Sequence, residues 1–128
     1  MALKVDEANG QLTIFEDALG DGLAADKDVI GGPIIINGIV LENASGDACH
    51  AHLYDSVDPT LGTTEPIAVL VVAANSKRVI NFGDQPLVFN NALSMVATSS
   101  AAGGYPADSN SSDPGTDVKI HITAKRGS

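Results

Sequence analysis

The chain has 128 residues, of which 44% are hydrophobic and only 4% aromatic, with no tryptophan, so it suits one domain whose core is built from Val, Ile, Leu and Ala. Sixteen acidic against seven basic residues give a formal charge of −9. The one basic cluster is Lys125-Arg126, so neither nucleic acid, which needs a basic patch to displace counterions, nor an anionic membrane is expected as a partner.

The first residues predict a hairpin. In LKVDEANGQLTIFED, Asn9-Gly10 separates two short runs, and Asn-Gly supplies the positive φ angles of a type I′ turn. Residues 18–33 then break regularity with Gly20, Gly22, Gly31, Gly32 and Pro33, leaving room for one helical turn near Leu23 to Lys27. The whole stretch 1–33 is read as an N-terminal arm or hairpin, with too little apolar patterning for a core of its own. Part of it is expected to order against a partner.

From Ile34 the pattern is that of strands. IIINGIVLEN is β-branched and ends in a turn cluster at Asn43 to Asp47. ACHAHLYDS alternates, with Cys49, Ala51 and Leu53 on one face and His50, His52 and Tyr54 on the other. The first set is assigned to the core and the second to solvent or a neighbouring subunit. IAVLVVAA (67–74) is apolar on both faces and is expected to be central or doubly covered. RVINF puts Arg78, Ile80 and Phe82 on one face. LVFNNALSMVAT follows one parity from Leu87 to Ala97, with Asn91 the exception. A polar stretch at 99–117 reads as a long loop, and VKIHITAK closes the chain with Val118, Ile120 and Ile122 inward. Strands roughly ten residues apart without amphipathic helices predict an all-β, antiparallel β-sandwich of about six to eight strands, comprising residues 34–128.

Candidate chemistry is sparse. His50 and His52 on one strand could offer two imidazoles to a metal, with His121 as a third ligand and Glu42, Asp47 or Asp55 as a carboxylate. No spacing forces those groups together, and a plain polar strand face is the simpler reading, so no metal is assigned. DSNSSDPGTD (108–117) resembles a calcium loop only superficially, since Asp113 and Lys119 stand where an EF-hand has Gly and Glu; an irregular cation site is the alternative there. GDGLAA (20–25) fits a relaxed dinucleotide pattern but lacks the following helix. No nucleophile elbow, Walker loop or zinc-protease motif occurs. Cys49 is the sole cysteine, so no intrachain disulfide forms, and it is read as a small buried residue. Neither a signal peptide nor a membrane-spanning run is read in the sequence. No catalytic residue and no cofactor is assigned.

The run from Leu53 to Thr98 carries a resemblance. Its elements are Leu53-Tyr54-Asp55, the entry Thr64-Glu65-Pro66 to an apolar strand, the turn Ala73-Ala74-Asn75, the strand Val79 to Phe82, and Phe89 to Thr98. This resembles a small β-sandwich module of tailed-bacteriophage virion proteins, with Ala92 where that pattern has Gly. The resemblance implies a non-enzymatic structural protein of the virion. Its foremost form is a capsid decoration (cement) protein that binds and stabilises the head shell during viral assembly. A neck, tail or head-fibre component, or a receptor- or glycan-binding module, is the alternative. It implies the major capsid protein and neighbouring copies of the chain as partners, a homo-oligomer on the virion surface, and synthesis in the host cytoplasm.

Overall fold

The computed structural model describes residues 3–99 and 113–127. Their ten strands are Leu3–Ala8 (β1), Gln11–Glu16 (β2), Asp26–Gly31 (β3), Ile34–Asn43 (β4), Cys49–Asp55 (β5), Ala68–Val72 (β6), Ser76–Asn81 (β7), Leu87–Phe89 (β8), Ala92–Ser99 (β9) and Val118–Arg126 (β10). The larger sheet has the order β1-β2-β10-β4-β7, with β8 sharing with β7 the same edge of the long strand β4; the smaller has the order β3-β9-β5-β6. Every pairing is antiparallel. The expected all-β sandwich is therefore the fold.

Period-two alternation builds the core. In β10, Val118, Ile120, Ile122 and Ala124 are buried while Lys119, His121, Thr123 and Lys125 are exposed. Leu41, Ile39 and Ile14 of the larger sheet meet Leu53, Met95 and Leu93 of the smaller in one cluster. Each such side chain removed from water contributes about 1.5–3 kcal/mol.

The first thirty residues are woven into both sheets. Asn9 (φ 55°) and Gly10 (φ 78°) make the expected primed turn between β1 and β2. β2 lies between β1 and β10 and sends Leu12, Ile14 and Glu16 into the interior. Leu19 is fully buried, and β3 pairs with β9. The helical turn expected at 23–27 is a single 3-10 turn at Asp21–Leu23.

Two readings of the strand runs are corrected. IAVLVVAA is not central: β6 is an edge strand, Val71 on it is exposed, and so is Ile67 just before it. An apolar run states what a strand could bury, not that both faces find a cover. The doubly covered strand is β9, whose eight residues are all buried. LVFNNALSMVAT is two strands, because the chain crosses from β8 in one sheet to β9 in the other at Asn90-Asn91. That crossing is why Asn91 breaks the parity. Most of the polar stretch at 99–117, with the first part of the calcium-like motif, lies outside the described residues.

Candidate functional site

The histidines are not where the alternation alone puts them. His50, His52 and Tyr54 do point away from Cys49, Ala51 and Leu53, but their face is covered. His52 and Tyr54 are fully buried and His50 is half-buried. Tyr54 packs with Val96 under Ala25 and Leu61, so chain outside the strands forms a lid over this side of the smaller sheet. Burial raises the Tyr54 hydroxyl's pKa and lowers that of the His50 imidazole. His52 Nε2 lies 3.1 Å from Thr98 Oγ1, and the His50 and His52 rings are 6.3 Å apart. His121 is elsewhere: it projects from the outer face of the larger sheet, on the opposite side of the sandwich, edge-on to Phe15 at 5.8 Å. The three imidazoles are thus not brought together, and among the described residues no cluster of three His, Cys, Asp or Glu side chains forms a metal-binding set.

Other polar residues singled out in the sequence hold the fold. The Asp55 carboxylate accepts the backbone N–H groups of Asn91 (2.8 Å), Asn90 (3.1 Å) and Ala92 (3.2 Å), pinning the crossing between β8 and β9. Partial burial pushes its pKa up, and the three N–H donors outweigh that and hold it below the ordinary carboxylate range. Asn43, which opens the turn cluster after β4, is buried; its amide donates to Asp47 O (2.8 Å) and Ala73 O (3.2 Å), and its Oδ1 accepts from Ser45 N–H (2.9 Å). Asp113, from the calcium-like motif, accepts N–H groups of Gly22 (3.0 Å) and Gly115 (2.7 Å). Gly20, from the dinucleotide-like pattern, has φ +81° and sits directly against the Ala97 backbone. Cys49 is buried, which raises its thiol pKa.

One pair of acids is absent from the sequence expectations. Glu16 of β2 and Asp26 of β3 are buried between the two sheets, where their carboxyls lie close enough to act on each other. Burial first, and then the Glu16 carboxyl, push the Asp26 pKa up to about 7. Among the described residues neither Glu16 Oε2 nor Asp26 Oδ2 meets a donor. Two acceptors in this arrangement are compatible only when a proton is shared between them. The signal is present in QLTIFE, where Glu16 falls on the parity of Leu12 and Ile14, but an acid on a core parity reads as a strand end.

The outer face of the larger sheet gathers side chains from several strands. Register places Lys4, Phe15, His121, Val40 and Val79 side by side across five of its six strands. Val79 is 70% exposed. A shallow cleft of about 440 Å3 runs between Val40, Val79, His121 and Thr123. Beside this row lie Lys119, Glu42 and Lys77, with Lys77 Nζ 3.7 Å from Glu42, and Lys125 projects on the same side. Four of the chain's seven basic residues therefore share one sheet face with only Asp6 and Glu42 as strand acids. Sequence inspection finds no basic patch because these lysines come from β1, β7 and β10 and meet only through pairing.

No protein-family model matches the sequence, and no curated protein matches it.

Proposed function

We propose that this chain is a non-enzymatic structural protein of a tailed-bacteriophage virion, a decoration protein that seats on the capsid shell through the outer face of its larger sheet. The observation that carries the docking assignment is that face: Phe15, Val40 and Val79 in a row with His121, flanked by lysines, on a molecule otherwise dominated by acidic residues. Such a face favours an acidic, shallowly contoured protein surface, and like-charge repulsion disfavours the opposite orientation. The virion context comes from the Leu53–Thr98 resemblance. Its signature residues do folding work here: Leu53, Tyr54, Phe89, Leu93 and Thr98 are buried, Asp55 anchors the crossing, and Asn75 turns at φ 51°. Such a pattern signals a shared scaffold, and function then falls to the surface. Binding only the assembled shell would stabilise it by mass action.

The test is quantitative mass spectrometry of purified particles of the phage encoding this chain. A copy number comparable to that of the major capsid protein is the expected result. A copy number matching rare neck or tail proteins, or absence from the particle, would overturn the decoration assignment. Val79→Asp combined with Lys125→Glu should lower occupancy on the particle at only a small cost in thermal stability, because both residues are exposed and neither faces an acid across the strands.

A further inference from the structure

Among the described residues, no strand pairs with the outer edge of β1. All six of its residues are exposed, including Leu3 and Val5, each 40% exposed although they lie on the inward-directed parity with Glu16 and Ile14. The larger sheet thus extends one strand beyond the cover of the smaller.

Hydrogen-bond phase along β1 is fixed by the hairpin. Ala8 and Gln11 flank the two-residue turn and so form a hydrogen-bonded pair, and antiparallel pairs alternate from there. Lys4, Asp6 and Ala8 therefore spend their N–H and C=O groups on β2, whereas those of Leu3, Val5 and Glu7 point to the free edge. The phase is confirmed on the other side of the hairpin, where Gly10 C=O accepts the Arg126 N–H at 2.9 Å. Even-numbered residues of this hairpin strand bond to β10, which leaves its odd-numbered ones for β1.

We propose that a second copy of this chain pairs with this edge, β1 against β1 in antiparallel fashion about a two-fold axis perpendicular to the sheet. Four registers keep the outward N–H groups in phase and overlap three or more residues of β1. One sets Lys4 opposite Lys4, another Asp6 opposite Asp6 and another Glu7 opposite Glu7, so each stacks like charges. The fourth sets Val5 opposite Val5, Leu3 opposite Glu7, and Lys4 opposite Asp6 twice by symmetry. It also lets Leu3, Val5 and Glu7 exchange both of their backbone hydrogen bonds with their partners. Lys4 and Asp6 form no ion pair within the chain among the described residues, so both are available. Glu7 remains held by Arg126, Nε to Oε2 at 2.8 Å. The self-complementary register selects a copy of the same chain over an unrelated strand, and the two-fold closes the assembly at a dimer. The pairing concerns the chain alone and stands apart from the capsid assignment.

The test is sedimentation equilibrium of the full chain with Lys4→Asp, Asp6→Lys and the double swap. The wild type should dimerise. Each single reversal replaces two attractive cross-strand pairs with two repulsive ones and should weaken the dimer by about tenfold or more. The double swap should restore it, which a fold defect could not do. Amide hydrogen exchange gives a second reading: the Leu3, Val5 and Glu7 amides should gain protection with rising protein concentration, while those of Lys4, Asp6 and Ala8 are already protected. A chain monomeric at submillimolar concentration, or a dimer indifferent to the single reversals, would overturn the proposal.

Discussion

Replacing Asp26 by Asn should change how this protein's stability depends on pH. The Asp26 pKa is about 7 in the fold against an ordinary 3.8. The folded chain therefore holds a proton that the unfolded chain releases, and the stability this contributes is complete below the ordinary value. It is lost as pH rises through the folded value. At about 1.4 kcal/mol per pH unit between those values, the loss approaches about 4 kcal/mol, a large fraction of the stability of a small domain. Asparagine is nearly isosteric, cannot ionise, and can donate from its amide to the Glu16 carboxylate in place of the shared proton. Urea denaturation at intervals from about pH 5 to about pH 8 should show wild-type stability falling relative to that of Asp26→Asn, both curves carrying the same rise that the lowered His50 pKa contributes through the ordinary histidine range. The variant should be the more stable protein at the alkaline end. Parallel curves for the two proteins would refute the shared-proton account.

Gly20→Ala should destabilise by roughly 3–5 kcal/mol, because its Cβ would overlap the Ala97 backbone and its φ of +81° disfavours any L side chain; a thermal melt checks this. Asp55→Ala should cost about 2 kcal/mol near neutral pH by leaving three backbone N–H groups without their acceptor. The Asp55 pKa is depressed, so that stabilisation is present above the ordinary carboxylate range and is lost as pH falls through the folded value. The gap between wild type and variant should therefore close in acid, as denaturation measured across that range would show.

The strands were legible wherever alternation was clean, as in β5 and β10, or where an Asn-Gly pair fixed a turn. What sequence could not show was which face the rest of the chain would cover. His52 and Tyr54 have the parity of an outward face, yet Leu61 and Ala25, from outside β5 and its neighbours, close over it. Val71 has the apolarity of a core residue and is 44% exposed. The same limit hid the lysine face and the carboxyl pair. Lys4, Lys77 and Lys119 share one face only through strand order, and Glu16 and Asp26 meet only because β2 and β3 lie in opposite sheets. The arm expected at 1–33 looked too polar for a core because Leu12, Ile14 and Leu19 are few; sharing the core of the other strands is enough to bury them.

Both proposals share one residue whose charge they treat in opposite ways. Asp6 lies on the outer sheet face and also opposite Lys4 in the proposed pairing. The two-fold axis is perpendicular to the sheet, so a β1–β1 dimer joins the two larger sheets edge to edge and turns both lysine faces to the same side. A surface that binds one face can then bind both, and the second contact is made at the high effective concentration set by a rigid link. If docking depended on face charge alone, Asp6→Lys would tighten binding to an acidic shell by removing an opposing charge. If docking depends on the dimer, the same substitution weakens it by setting two like positive charges opposite each other at the Lys4 pairing. Adding Lys4→Asp to that variant restores the pairing and returns the face to its original net charge. Occupancy on particles should therefore fall in Asp6→Lys and recover in the double swap. A rise in the single variant would leave the docking face standing and remove the dimer from its mechanism.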